Sequence, residues 1–87
     1  MHLHEAPHGI NLVIETPDKV YIGRFDSTDG FRVVMHDCAV HEIESEEEAE
    51  GFIKQTAKYG IPVDERDLVF EAANVKRVRI LGDIPKD

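Results

Sequence analysis

Short apolar runs rich in β-branched residues dominate the first half of the chain, a pattern typical of antiparallel strands. The first run is INLVIET, at residues 10–16, and it ends at a Pro-Asp turn signal. The second run, VYIGRFD at residues 20–26, leads through the tight turn at Asp29-Gly30 into a third, FRVVMHDCAVHEI at residues 31–43. The length of the third run indicates a strongly bent strand. We therefore predict a meander of three strands.

A helical period replaces this pattern after residue 44. Ser45 followed by Glu48 is a capping-box signal, and Gly60 followed by Pro62 marks a helix end. Glutamates cluster at the start of the segment, where they favour the positive end of the helix dipole. We predict an amphipathic helix at about residues 45–60, inserted between the third and fourth strands. Its apolar face comprises Ala49, Phe52, Ile53, Thr56 and Ala57.

Two more strands are predicted in DLVFEAANVKRVRIL, residues 67–81, with a break near Ala73-Asn74. Five short bent strands are most economically closed into a barrel, because an open sheet leaves exposed edges. The sequence thus predicts a mostly-β fold: a small, bent, five-stranded antiparallel barrel with one inserted helix. Residues 1–9 contain Pro7 and Gly9 and are predicted to be a flexible arm, and residues 10–87 a single domain.

The balance of charges narrows the range of partners. The 87 residues include 10 Lys and Arg against 18 Asp and Glu, which gives a formal net charge of -8. This charge repels phosphates and argues against broad binding to nucleic acid or to anionic membranes. Cys38 is the only cysteine, so no intramolecular disulfide forms, and no run is apolar enough for a secretory or membrane-spanning segment. We expect a soluble protein of a reducing, cytoplasmic compartment without a membrane partner.

The residues around the second-to-third-strand turn resemble the first motif of the Sm/LSm-like family. The matching residues are Gly23, Phe25, Asp29, Phe31, Val33 and Met35. The second motif of that family, Ile-Arg-Gly-x-x-Val-x-x-Ile, is similar to FEAANVKRV in its apolar positions, which are Phe70, Val75 and Val78. The resemblance covers residues 10–44 and 67–81, and it implies an SH3-like barrel. The helix that usually precedes the first strand in this family has no counterpart in residues 1–9.

The resemblance also implies a pocket for single-stranded RNA. In Sm-like proteins a base stacks near this turn, while an asparagine and an arginine hold its polar edge and the backbone. Those two positions hold Arg32 and Glu71 here, and the motif glycine is replaced by Ala72. The implied pocket residues are Asp29, Phe31, Arg32, Glu71 and Ala72.

Two interpretations of this pocket remain open. Either Phe31 stacks a base and Arg32 pairs a phosphate, or Phe31 belongs to the barrel core and Arg32 is a solvated turn residue. The second is favoured, because phosphate contacts dominate such affinity and Glu71 would bring a carboxylate towards them.

Assembly into a ring is the other implication of the resemblance. Family members pair the fourth strand of one subunit with the fifth strand of the next, which covers exposed strand edges. The interface residues implied here are Leu68, Val69, Phe70, Val75, Val78 and Ile80. Arg77 and Arg79 alternate with Val78 and Ile80, so we expect a small basic stripe that could align subunits or steer an acidic partner.

The histidines and the cysteine form no convincing catalytic or metal site in the sequence. His2, His4 and His8 lie on the arm, which lacks the rigid frame that a metal site needs. Strand alternation places His36 and Cys38 on one side of the third strand, but no orienting group or oxyanion donor accompanies them. We therefore predict that the chain is not an enzyme and that it binds no cofactor and no metal.

Three functions are consistent with these observations. The favoured one is a ring-forming, homo-oligomeric Sm-like scaffold or adaptor with weak or no RNA binding. The alternatives are an RNA-binding Sm-like chaperone with a non-standard pocket and a small metal-binding protein that uses the histidines.

Overall fold

A computed structural model describes residues 1–85 of the chain. It contains one antiparallel sheet of strand order β4-β3-β2-β1-β5 and one α-helix, α1 (Glu46–Tyr59), between β3 and β4. The strands are β1 (Asn11–Glu15), β2 (Lys19–Thr28), β3 (Arg32–Glu42), β4 (Glu65–Glu71) and β5 (Arg77–Ile80). The predicted mostly-β class, five antiparallel strands and inserted helix are confirmed. Lys86 and Asp87, which end the predicted domain, lie outside the described residues.

The sheet is bent but not closed. Within residues 1–85, β4 pairs only with β3 and β5 pairs only with β1, so the expected closure into a barrel is incomplete. The fifth strand has only four residues, and all four are paired with β1. The outer edges of β4 and β5 are therefore left without a strand partner in the described chain.

The bend in the hairpin of β2 and β3 centres on Gly23. Opposite this residue β3 carries two residues, Asp37 and Cys38, instead of one, which makes a β-bulge. Asp37 takes the left-handed conformation with φ of 49°. A Cβ atom on residue 23 would lie 2.3 Å from the Cβ of Cys38, so only glycine permits this approach. The bulge strengthens the local twist and bends the sheet.

Apolar side chains cover both faces of the sheet. The sheet core, on one face, consists of Leu12, Ile14, Phe25, Val33, Met35, Cys38 and Val78. The helix core, on the other face, consists of Val13, Val20, Ile22, Ala49, Ile53 and Ile84. Successive residues of β1 alternate between the two cores, so this strand is buried on both faces.

The predicted N-terminal cap of α1 is present with one difference. The Oγ of Ser45 accepts a hydrogen bond from the N–H of Glu48 at 3.1 Å. The Glu48 carboxylate, however, accepts from the N–H of Glu44 at 3.2 Å instead of from Ser45. At the other end Gly60, with φ of 100°, donates its N–H to the carbonyl of Thr56.

The apolar face of α1 packs on the sheet as predicted, although its members are buried to different degrees. Ala49, Ile53 and Thr56 are buried, whereas Phe52 and Ala57 are half-buried. The ring of Phe52 stacks on the ring of His41, with 4.2 Å between their centroids. Ile53 is therefore the main anchor of the helix, since its side chain is fully buried.

The segment predicted as an arm contacts the sheet at several points. It contains a 3-10 helix at Leu3–Glu5, and Leu3 and Ala6 pack against the sheet core. The N–H of Gly9 donates to the carbonyl of Phe25 at 2.8 Å. A second 3-10 helix covers Leu81–Asp83. Within residues 1–85, none of the helices has the length and hydrophobicity that crossing a membrane requires.

Candidate functional site

The turn between β2 and β3 presents an exposed aromatic ring. The Oδ1 of Asp29 accepts hydrogen bonds from the N–H of Phe31 at 2.9 Å and of Arg32 at 2.8 Å. Hydrogen bonds from the Arg32 and Phe31 backbone hold the pKa of the Asp29 carboxyl below its usual value. The turn carries Phe31 past the end of the strands, where 80% of the residue is exposed. The favoured interpretation of Phe31 as a core residue is therefore wrong.

The end of β4 lies beside this turn. Arg32 and Glu71 are directly opposite each other in the ladder of β3 and β4. The N–H of Ala72 donates to the carbonyl of Phe31 at 2.8 Å, which fixes the two segments together. The resulting groove, which we call the Phe31 groove, has a volume of about 340 Å³ and is lined by Gly30, Phe31, Arg32, Glu71 and Ala73. The five residues of the predicted pocket are thus neighbours in the structure.

The groove combines a ring, a cation and an anion. Arg32 and Glu71 are both exposed, and within residues 1–85 neither lies within 4.0 Å of an oppositely charged group. An unpaired guanidinium can bind a phosphate, and an exposed ring can stack on a base. The Glu71 carboxylate repels phosphate, so its effect on a bound phosphate opposes that of Arg32.

The six predicted interface residues mostly serve the sheet core. Leu68, Phe70, Val75 and Ile80 are half-buried against it, and Val78 is buried within it. The Phe70 ring stacks on the Tyr21 ring, with centroids 3.8 Å apart. Val69 points to the opposite face and is 58% exposed. What the two edges offer to a partner is therefore mainly their backbone groups, together with the side chain of Val69.

Arg77 and Arg79 do not form a free basic stripe. The Nε of Arg77 lies 2.7 Å from the Oε2 of Glu15, and the Nη2 of Arg79 lies 3.0 Å from the same oxygen. Both guanidinium groups also contact the Oε1 of Glu50 on α1, at 2.9 Å and 2.6 Å. The helix folds back over β1 and β5, which brings Glu50 to the arginines. These ion pairs correct the expectation of a basic stripe that is available to partners. The two arginines instead connect the sheet to the helix.

Glu15 is the centre of this cluster, and only 4% of the residue is exposed. Burial raises the pKa of its carboxyl, but the hydrogen bond from Arg77 and the charges of Arg79 and Arg77 outweigh this effect. The net result is a pKa below the usual value. Glu15 is therefore held in its ionised form between two arginines.

His36 and Cys38 lie on opposite faces of β3, which corrects the prediction that they share one side. The extra residue of the bulge at Asp37 reverses the alternation between them. Cys38 belongs to the sheet core, where burial raises the pKa of its thiol to about 11. A thiol of this kind stays protonated near neutral pH and is a poor nucleophile.

His36 instead lies between two carboxylates. Its Nε2 is 2.6 Å from the Oδ2 of Asp26, and its Nδ1 is 2.8 Å from the Oδ1 of Asp67. Hydrogen bonds to Asp26 and Asp67 raise the pKa of the imidazole, and the bond from His36 lowers the pKa of Asp26. Sequence reasoning missed this cluster, because it depends on the cross-strand register of His36 with Asp67 and on a second irregularity between Phe25 and Ser27.

The N-terminal histidines are divided between two places. The rings of His2 and His4 stack, with centroids 5.6 Å apart. His8 is elsewhere, since its Nδ1 lies 2.5 Å from the carbonyl oxygen of Asp26. Within residues 1–85, no group of three or more His, Cys, Asp or Glu is arranged to hold a metal ion.

Three features of the described residues therefore bear on function: the unpaired edges of β4 and β5, the Phe31 groove and the His36 cluster. In comparisons with known proteins, no family model, no curated protein and no solved structure matches this chain.

Proposed function

We propose that this chain is a ring-forming, homo-oligomeric scaffold or adaptor of the Sm-like type. Its subunits join by pairing β4 of one copy with β5 of the next. The observation that carries the proposal is the strand order, which leaves these two strands as the two edges of one bent sheet. Unpaired edge strands are templates for another strand. A contact between two different edges is heterologous, and it closes into a ring when the rotation between subunits permits.

The outer face of β4 supports the same proposal. Val69 is opposite Val34 in the β3–β4 ladder, and the two line a shallow groove. An exposed valine on an edge strand is a liability for a monomer unless a partner covers it. Val69 is 58% exposed, so covering the rest of its side chain contributes about 1 to 2 kcal/mol to association, in addition to the backbone hydrogen bonds.

Val69→Lys is expected to shift the protein from a ring to monomers or small oligomers. A charged side chain on an edge strand disfavours pairing with another strand. The fold itself should tolerate the change, because Val69 is more than half exposed. Sedimentation velocity of the variant and of the unmodified protein measures the effect.

Val63→Lys is the matched control, since Val63 is also an exposed valine, at 48%, but it precedes β4 and is not part of the proposed interface strand. It should leave the oligomer unchanged. A monomeric unmodified protein would refute the proposed assembly.

A second function, binding of single-stranded RNA in the Phe31 groove, is favoured by the exposed ring of Phe31 and by the exposed guanidinium of Arg32 beside it. Stacking on an aromatic ring with a nearby cation is the usual way proteins hold unpaired bases. We expect the binding to be weak, because Glu71 and the net charge of -8 repel the backbone.

Glu71→Arg combined with Ala72→Gly is expected to raise the affinity for a short single-stranded RNA. The change replaces a repelling carboxylate by a cation, and each added phosphate contact should steepen the salt dependence by a slope of about 0.7. Adding Phe31→Ala should then weaken binding by about 1 to 3 kcal/mol if a base stacks on the ring. Fluorescence anisotropy with a labelled oligonucleotide measures the affinity of the unmodified protein and of both variants.

Glu65→Arg provides the control for charge, because Glu65 is an exposed glutamate on the same strand but outside the groove. It should give much less gain than the change at Glu71. An equal gain would mean that net charge alone controls binding. Tight binding by the unmodified protein would favour an RNA chaperone over a scaffold.

A further inference from the structure

His36 connects three strands on the face of the sheet opposite Met35 and Cys38. It belongs to β3, and its two ring nitrogens reach Asp26 of β2 and Asp67 of β4, at 2.6 Å and 2.8 Å. The His36 side chain is 27% exposed, compared with 84% for Asp67. The hydrogen bond between His36 and Asp67 thus connects the edge strand β4 to the inner strand β3.

Both contacts require hydrogen bonds from the ring. A carboxylate only accepts hydrogen bonds, and an imidazole nitrogen donates one only when it carries a proton. The imidazolium form carries protons on both nitrogens and satisfies Asp26 and Asp67 together. The neutral ring carries one proton, so it leaves one carboxylate facing a nitrogen lone pair. The geometry therefore matches the protonated form alone.

We propose that His36 is a proton-controlled clamp on β4, and that deprotonation of its ring loosens this edge strand and weakens self-association through it. The clamp follows from the contacts of His36 alone. Its effect on self-association rests on the proposed ring, in which β4 is one side of every contact.

Other charged groups border the cluster, but none of them substitutes for the proton on His36. His8 of the N-terminal segment lies 3.9 Å from the Asp26 carboxylate and does not contact the His36 ring. Arg24 of β2, the cross-strand neighbour of His36, is bound instead to Asp37 at 3.0 Å. Arg66 of β4 also reaches Asp37, at 3.9 Å.

The direction of the pH effect follows from the contacts. The carboxylates raise the pKa of His36 above its ordinary 6.5, so the clamp is complete below that pH and is lost as the pH rises through the raised value. On the acid side, the lowered pKa of Asp26 keeps that partner ionised. Loosening of β4 is therefore expected on the alkaline side.

The test compares the unmodified protein with Asp67→Asn between about pH 5.5 and about pH 9, a range that spans the titration of a histidine with a raised pKa. An amide can accept from a protonated ring nitrogen and donate to an unprotonated one, so the variant removes the requirement for the proton. NMR reports the His36 titration, and hydrogen exchange, corrected for its intrinsic pH dependence, reports the opening of β4. We expect Asp67→Asn to lower the pKa of His36 and to remove most of the alkaline loss of β4 protection.

Glu65→Gln is the matched control, because it removes one negative charge from the same strand without touching His36. It should behave like the unmodified protein. An unchanged His36 titration in Asp67→Asn, or equal effects of the two variants, would overturn the clamp.

Sedimentation at the same pH values tests the link to assembly. The dissociation constant of the unmodified protein is expected to rise by about fivefold or more from the acidic to the alkaline end, which is the low end of common couplings between sites. In Asp67→Asn most of this rise should disappear. A monomer at every pH would overturn the proposed ring, while the NMR and exchange results would still decide the clamp. A ring of constant affinity, despite a titrating clamp, would overturn the link.

Discussion

Ile53→Ala is expected to lower the free energy of unfolding by about 2 to 5 kcal/mol, the range found for truncation of large core residues. Ile53 is fully buried and lies between α1 and the face of the sheet that carries Val13 and Ile22. Truncation removes its apolar contacts and leaves a cavity that the surrounding helix and sheet fill only in part. Small domains are usually stable by only about 5 to 15 kcal/mol, so the loss is a large share of the total. Denaturant unfolding at neutral pH measures it.

Lys54→Ala is the control for this change, because the next residue on the helix is exposed. It should alter the stability only slightly, since alanine also has a high helix propensity. Phe52→Ala should have a smaller effect than Ile53→Ala, because Phe52 is only half-buried. Equal stabilities of Ile53→Ala and Lys54→Ala would show that α1 does not pack on the sheet.

Glu15→Gln is expected to destabilise the fold by about 2 to 4 kcal/mol at neutral pH, below the full effect of breaking a buried ion pair because the arginines keep some contact with water. The side chains of Arg77 and Arg79 are 48% and 25% exposed, whereas that of Glu15 is 5% exposed. The amide has nearly the same shape as the carboxylate. The change therefore removes the charge that two guanidinium groups share.

The pH dependence distinguishes this effect from a simple loss of packing. The pKa of Glu15 lies below its ordinary 4.5, so its contribution to stability is complete above that pH and is lost as the pH falls through the lowered value. Unfolding measured across this acid range should show a weaker pH dependence for Glu15→Gln than for the unmodified protein. Glu47→Gln, an exposed change at the start of α1, is the control. A Glu15 variant with the same acid sensitivity as this control and the unmodified protein would contradict the assignment.

The elements of the fold could be predicted because their signals are local. β-branched runs predict strands, the Asp29-Gly30 pair predicts the turn, and Ser45 and Gly60 mark the two ends of the helix. Each signal depends on residues that are close in the chain, and the structure contains each element. The extent of closure was not predictable in this way, because it depends on how far a four-residue β5 reaches around the bend.

The face on which a residue of β3 lies could not be predicted beyond the bulge. Asp37 adopts the left-handed conformation, which aspartate enters more often than most residues, but the residue type alone does not mark the position of a bulge. One extra residue reverses the alternation that strand reasoning assumes, so His36 and Cys38 were placed on the same side. The partners of Arg77 and Arg79 were missed for a related reason, since Glu50 is brought to them only by the packing of α1 on the sheet.

Three of the five predicted pocket residues, Phe31, Arg32 and Glu71, line the Phe31 groove, but the exposure of Phe31 was not predicted. The resemblance to Sm-like motifs identified the turn and the end of β4, and the ladder places Arg32 opposite Glu71. The carboxylate of Glu71, which opposes phosphate contacts, favoured the interpretation of Phe31 as a core residue. The hydrogen bonds of Asp29 to the turn backbone set its direction instead, and such side-chain contacts are not visible in a hydrophobic pattern.

The close approach at Gly23 also restricts the mispaired hairpins that this sequence can form. A hairpin that slips by two residues keeps each side chain on its own face, so alternation alone does not forbid it. After such a slip Cys38 would lie opposite the side chain of Tyr21 or Phe25. In the native pairing even a single Cβ atom added to Gly23 would lie only 2.3 Å from the Cβ of Cys38, so these larger side chains would clash with it. Gly23 and the bulge thus fit together in one register only. This steric restriction disfavours slipped hairpins during folding. The exposed strands of such hairpins would be prone to aggregate.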